Sequence, residues 1–229
     1  MQVHKYGLTL SRLRQEDIEL VRTKRNMSEV QHFMEYRETI TPEMQQRWFE
    51  TEVNNLHSYY FLVHYNGKPS GLVHGKNNDF EKKESEGGMF FWEDECIGST
   101  VPVYCSVIMA DLNFYILGFE RSFAKILDNN KIAFHYNKML GFVPYSELEN
   151  SEIARLYVLT KDAYGQKMKV FREKIARITG DATPLSFNDI DFSRVSPAQR
   201  EILYAGFPHS IQEQIDAKFA ETGREISNE

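Results

Sequence analysis

The sequence predicts a mixed α/β fold with a helical segment appended at its C-terminal side, and three observations predict it. Segments alternating apolar and polar residues are interleaved with segments of helical spacing, in the order β-α-α-β-β-β-α-β-α-β. One segment, Val103 to Leu117, is apolar on nearly every side, as a helix covered by the rest of its domain must be. An aromatic and β-branched run, Tyr59 to Tyr65, is followed by Asn66 and Gly67, the pair that most readily supplies the positive φ angles of a tight hairpin, and Ser70 to His74 returns.

The elements follow in order. Tyr6 to Leu13 alternates as a half-buried strand, and Glu16 to Met34 carries apolar residues at helix-compatible intervals. Thr41, Pro42 and Glu43 open a second helix, with the cap oxygen at Thr41 and proline where no amide partner is lost; Trp48, Phe49 and Val53 are its buried stripe. After the hairpin, Lys76 to Glu86 is polar and predicts a loop, and Gly87 to Trp92 predicts a short, fully buried strand. Gly98 to Pro102 opens the central helix, in which Ser106, Asp111 and Asn113 are the clearly polar positions, and Gly118 closes it. Arg121 to Leu127 is a strand, and Asp128 and Asn129 cap a helix over 130–140 that ends at Gly141. Ile132, Ala133, Tyr136, Met139 and Leu140 make that helix amphipathic. Ile153 to Thr160 is another strand, and Asp162 to Thr179 a basic helix ended by Gly180. These elements make residues 1–180 the main domain. Residues 181–229 form the helical extension: Ser196 and Pro197 start one helix, Gly206 to Pro208 breaks it, and Ile211, Ile215 and Phe219 mark the face of another, expected to pack on its own domain.

Composition narrows the function classes. A net charge of −6, without runs of lysine and arginine among aromatics, argues against a nucleic-acid-binding surface. No apolar stretch approaches the roughly 18 residues that span a bilayer, and Met1 to Leu10 lacks the apolar centre of a signal peptide, which points to a cytoplasmic protein away from membranes. Two cysteines, Cys96 and Cys105, are too few for a disulfide scaffold and wrongly spaced for a zinc site, so both are read as reduced and no metal is expected.

At Asn130 to Ala133, then Asn137, then Gly141 and Phe142, the chain resembles the signature of the GNAT N-acetyltransferases, in which an asparagine opens the helix after the fifth strand and a Gly-Phe pair ends it. The resemblance runs from Tyr6 to Thr160. Arg25 and Asn26, Phe33 and Met34, and Ile40 to Phe49 are similar to the N-terminal helices of bacterial members acting on protein N-termini or nucleotide-linked amino sugars. The resemblance implies a centrally splayed sheet flanked by helices, and acetyl-CoA as co-substrate. It also implies direct attack of a small primary amine on the thioester, with no covalent intermediate and room for a homodimer.

It implies a site as well. Pantetheine would thread between the strands at Gly87 to Trp92 and Arg121 to Leu127, pairing with backbone groups as an added strand does, with amides near Phe91 and Trp92 polarising the carbonyl. The amides of Gly98, Ser99, Thr100 and Val101 would receive the pyrophosphate at a helix N-terminus, although this loop keeps one glycine of the family pattern and places Pro102 early. Asn130 and Asn137 would contact the donor; Asn137 stands where many members carry a tyrosine acid, with Tyr136 beside it. His74 and Glu86 are the candidate bases, and Tyr36 and Arg37 the candidate acceptor contacts, Arg37 as a grip on phosphate or carboxylate. Two alternatives stay open: a GNAT-like binding module that has lost catalysis, and an acyltransferase taking its acyl group from a carrier-protein thioester.

Overall fold

The computed structural model describes residues 1–55, 57–145, 153–193, 195 and 207–221. Its frame is a nine-stranded sheet: β1 (Gln2–Lys5), β2 (Leu8–Arg12), β3 (Tyr59–Tyr65), β4 (Lys68–Asp79), β5 (Glu84–Phe91), β6 (Arg121–Leu127), β7 (Val143–Pro144), β8 (Ala154–Thr160) and β9 (Ile190–Asp191). Their spatial order is β7-β8-β6-β5-β4-β3-β2-β1-β9. Every pairing is antiparallel except β5 with β6.

One face of the sheet is covered by α1 (Ile18–Arg25), α2 (Ser28–Gln31) and α3 (Pro42–Trp48). Under them lies a cluster of Val21, Val30, Val53, Tyr60, Leu62, Leu72 and Trp92. After β5 come a single turn, α4 (Asp94–Ile97), and α5 (Val101–Asp111), then α6 (Lys131–Leu140), α7 (Lys161–Thr179) and α8 (His209–Glu221). The larger core on the second face is centred on α5, where Cys105, Val107 and Ile108 are wholly inaccessible. That helix continues through a π-turn, Leu112–Ile116, and stops at Gly118, whose φ of +73° is the left-handed value that favours glycine.

Asp111 and Asn113, at the C-terminal end of this buried helix, are paired. Asp111 accepts hydrogen bonds from Tyr164 Oη (2.7 Å) and the Leu185 amide (2.9 Å) and forms an ion pair with Arg172. Asn113 accepts from Tyr59 Oη and donates to Ser122 Oγ at 3.3 Å. The C-terminal segment belongs to the same core: Leu185, Ile190, Phe192, Ile211, Ile215 and Phe219 are buried in it, and β9 pairs with β1. Lys5, buried beneath it, holds Asp181 at 2.7 Å and Asp189 at 3.2 Å.

Several elements differ from the sequence reading. The first strand is a hairpin, β1 and β2, turning at Tyr6 and Gly7 with φ of 52° and 76°. The helix expected from Glu16 to Met34 breaks at Asn26, which closes α1, and Met27. The loop expected over 76–86 is mostly strand, with a register shift between Lys76 and Asp79. The cap of α6 is Asn130 rather than Asp128 or Asn129: its side chain accepts from the Ala133 amide at 3.0 Å. That helix is less amphipathic than its pattern suggests, because Ile132 (75% exposed) and Met139 (52%) face outward. The helix expected from Ser196 lies outside the described residues.

Candidate active site

The sheet opens at one place. β5 and β6 pair in parallel from Glu84 with Arg121 to Gly87 with Ala124, and no further. Beyond that point β5 stays bonded to β4 as far as Phe91 with Gly71, while β6 stays bonded to β8 as far as Leu127 with Ala154. Each arm of the fork is thus held on its outer edge, and the inner edges, Gly88–Phe91 and Lys125–Leu127, diverge with their backbone groups available. This is why residues 86–91 are half-buried instead of the fully buried strand that their apolar run predicts.

The backbone of β5 shows which groups enter the fork. The Trp92 amide donates to Ser70 O at 3.1 Å, on the β4 side, and its indole Nε1 donates to Pro69 O at 3.0 Å. Successive residues of a strand direct their N–H and C=O groups to opposite edges, so Phe91 and Met89 present theirs to the gap. Trp92, expected as a second polarising donor, spends its amide elsewhere, and Met89 enters in its place.

On the α5 side of the fork, Ser106 Oγ contacts Met89 Sδ at 3.9 Å and the Tyr136 hydroxyl is buried with no partner among the described residues. Asn137 donates from Nδ2 to Ala133 O at 2.8 Å, which ties its side chain to its own helix, while Asn130 serves as the cap. Before α5, Gly98, Ser99 and Val101 use their amides within the turn, on Asp94 O (3.4 Å), Cys96 O (3.1 Å) and Ser99 Oγ (3.1 Å). Thr100 is the one of the four whose amide donates to no other protein group among the described residues, and its side chain makes no cap bond. Gly98 has an ordinary φ of −88° and open space around it. Burial pushes the thiols of both Cys96 and Cys105 up, so neither is a ready thiolate.

On the α1–α3 side, Glu86, Gly88 and Phe90 alternate along β5, flanked by His74 on β4. The His74 ring stacks on Tyr60 with centroids 4.9 Å apart, and its Nδ1 is buried without a partner among the described residues. Burial first, then Lys76 and Arg25, pull its pKa down to about 3. A histidine so held is neutral, and a poor proton acceptor for an amine reacting near neutrality. Glu86 lies at the root of the fork, paired with Lys76 at 3.0 Å and receiving a hydrogen bond from Asn77 Nδ2 at 3.2 Å. Of the two candidate bases it is the one that faces a cation, at the root of the gap.

The loop between α2 and α3 is fastened beside this face at two points. Glu35 pairs with Lys125, on the β6 arm, at 2.8 Å; Asn26 clasps Ile40, giving 2.9 Å to its carbonyl and taking 2.8 Å from its amide. Tyr36 and Arg37 stand exposed on that loop, bonded locally to Glu38 and Met34 O. Sequence reasoning singled out Arg25 and Asn26 only as part of a pattern; the clasp and Lys125 had no sequence signal. Among the described residues no cluster of His, Cys, Asp or Glu is arranged to hold a metal ion, and no helix is long and apolar enough to cross a membrane.

No protein-family model matches the chain, and neither does any curated protein. Solved structures do. A spermidine N-acetyltransferase from Vibrio cholerae, in complex with CoA and spermine, superposes with a TM-score of 0.61 at 16% identity, over 70% of this chain and 99% of that one. FdhC, a nucleotide-linked sugar GNAT, gives 0.62 at 18% identity over 75% and 96%. An uncharacterized protein from Bacillus halodurans gives 0.64 at 14% over 76% and 97%. At these identities the likeness establishes the fold: this chain has the GNAT fold, a mixed α/β sheet forked at its centre and flanked by helices.

Proposed function

We propose that the protein is an N-acyltransferase that moves an acetyl or other acyl group from acyl-CoA to the primary amine of a small molecule, by direct attack in a ternary complex. The observation that carries this reading is the fork itself. Two strands held on their outer edges and open on their inner ones accept an extended amide-bearing chain such as pantetheine as an added strand. The thioester then lies where Glu86, His74 and Phe90 approach from one face and Met89 and Ser106 from the other.

In this arrangement the amine nitrogen attacks the thioester carbonyl carbon. The Phe91 amide stabilises the oxygen as it gains charge. Glu86 receives the proton, directly or through water, and the sulfur leaves as thiolate. His74 shapes the acceptor face and takes no part in the proton transfer. The Tyr36–Arg37 loop flanks the acceptor, for which an amino sugar on a nucleotide is the favoured class and a protein N-terminal amine the nearest variant. The N-terminal turn of α5, with Thr100, faces the donor phosphates, and Asn130 and Asn137 shape α6 beside it. The reaction belongs to the cytoplasm, where acyl-CoA is at hand.

A second reading, a binding module without turnover, has one observation in its favour: Asn137 is committed to Ala133 O and the Tyr136 hydroxyl is buried, so neither stands ready to protonate a thiolate. Calorimetric titration with acetyl-CoA and desulfo-CoA, followed by an amine screen with thiol release as readout, decides. Saturable binding with release sustains the enzyme; binding without release sustains the module; no binding of any CoA leaves a carrier-protein donor.

A further inference from the structure

We propose that Arg25 is the anion anchor of the acceptor site, so that the amine substrate carries a carboxylate or phosphate group. The proposal rests on the acyltransferase reading for the identity of the bound molecule. Among the described residues two half-buried arginines have no carboxylate partner, and they differ in one respect. Arg12 gives Nη2 to two carbonyls, Val53 O and Ser58 O, each at 3.2 Å. Arg25 makes no hydrogen bond or ion pair among the described residues, and its Nε is buried and unsatisfied. A desolvated guanidinium left this way is costly unless something outside the chain completes it.

Its position shows what that is. The guanidinium carbon of Arg25 lies 5.5 Å from the centre of the Phe90 ring, on the arm of the fork that Glu86 and Gly88 share. Burial lowers the pKa of Arg25 and Tyr60 is the ionisable group that opposes it; no carboxylate among the described residues acts on it. The carboxylate of Glu93 is taken by Lys24 at 3.3 Å, and that of Glu86 by Lys76. On the same face His74 is neutral with Nδ1 unpartnered. Asn26 and Arg22 both bind Ile40, which fixes the end of α1 against the acceptor loop and so fixes where Arg25 projects. A planar guanidinium on an aromatic ring with all its donors unspent is suited to a bidentate oxyanion. Glu86, at the root of the fork, is then placed to take the cationic or reacting end. A dipolar acceptor, amine at one end and oxyanion at the other, matches both.

The experiment compares matched amines on the full-length protein with acetyl-CoA: ethanolamine against O-phosphoethanolamine, and propylamine against β-alanine. The wild type is expected to prefer an anion-bearing member in kcat/KM, and whichever pair shows the preference identifies phosphate or carboxylate. Arg25→Gln is expected to lower that preference by about 10- to 100-fold, through KM, with Arg25→Lys intermediate. Equal use of the paired amines, or a preference unchanged in Arg25→Gln, overturns the proposal and leaves the acyltransferase standing. If acetyl-CoA does not bind or no amine turns over, the acyltransferase reading fails first. The arginine is then judged separately, by titrating inorganic phosphate, acetate and O-phosphoethanolamine against the side-chain Nε–H resonance of Arg25. A saturable shift of that resonance with any of the three supports the anchor, and no shift with any of the three overturns it. Thermal melts of both variants exclude loss of fold as the cause.

Discussion

The imidazole of His74 occupies the space that a side chain at position 88 would need: a Cβ on Gly88 would lie 2.5 Å from His74 Cε1 and 2.8 Å from Nε2. The two residues are direct partners across β4 and β5, and the ring is pinned from beyond by Tyr60. Gly88→Ala is therefore expected to destabilise by about 1–3 kcal/mol, the usual cost of forcing atoms into a filled space. Gly87→Ala is the internal control. Its Cβ meets nothing nearer than 3.7 Å, so urea unfolding should show a change well below that of its neighbour.

The same packing predicts a pH dependence. His74 titrates at about 3 in the fold against an ordinary value of 6.5, because burial, Lys76 and Arg25 oppose its charge. The unfolded chain therefore binds a proton between these values that the native protein does not, and stability rises with pH there. The contribution is complete above pH 6.5 and is lost as pH falls toward 3. His74→Asn should remove close to one proton from the pH dependence of unfolding in that window. It should also leave no missing limb in the pH profile of kcat/KM between pH 5 and 8. A lost limb would return His74 to the role of base.

Asp111 predicts the opposite kind of sensitivity. Its carboxylate is 1% exposed and gathers Tyr164, Arg172 and the Leu185 amide, joining α5, α7 and the C-terminal segment at one point. Asp111→Ala leaves Arg172 unpaired in a half-buried position and should cost about 3–5 kcal/mol. Replacing both partners, Asp111→Leu with Arg172→Met, should recover part of that loss, since no uncompensated charge remains. Denaturant unfolding of the two singles and the double, read as a cycle, measures the coupling.

What could be read in advance followed from local chemistry. Asn66 and Gly67 turn the β3–β4 hairpin with φ of 50° and 74°, Thr41 accepts from the Met44 amide at 3.3 Å, and Gly141 and Gly180 close α6 and α7 in left-handed geometry. Each is a residue whose own conformational preference determines the outcome. The missed features depend on partners distant in sequence. Tyr6 turns the β1–β2 hairpin at φ 52° although tyrosine carries no turn signal, and Arg172 Nη1 bonds its hydroxyl at 3.1 Å. The polar run Lys76–Asp79 forms strand because β5 lies opposite it, and Ile190 and Asp191 form strand because β1 offers an edge. At the site, the fork was legible only through family resemblance. Arg25 gave no sign of being unpaired, because pairing is a property of the assembled face.

Asn130 separates structure from chemistry in the signature that first pointed to this fold. Its side-chain oxygen receives the Ala133 amide and satisfies one of the open donors at the start of α6. Asn130→Ala should cost about 0.5–2 kcal/mol, while Asn130→Asp and Asn130→Ser keep most of the stability. If acetyl-CoA affinity falls in proportion to stability across the three, the asparagine acts as a cap; if Asp and Ser also lose affinity, the amide contacts the donor.

Gly98 gives the cleanest test of where the donor lies. Its backbone is at φ −88°, which any residue adopts, and a Cβ there meets nothing within 4 Å, so the fold does not require glycine. Gly98→Ala and Gly98→Trp should both leave unfolding free energy within about 0.5 kcal/mol of the wild type, as exposed substitutions away from special features do. The space beside Gly98 is the approach to the N-terminus of α5, where the Thr100 amide has no partner among the described residues and the helix end favours an anion. An indole placed there competes with the diphosphate of the donor for that space. Calorimetry should therefore show acetyl-CoA binding retained in Gly98→Ala and lost in Gly98→Trp with the melting temperature unchanged. Retention in both would move the phosphates away from this turn.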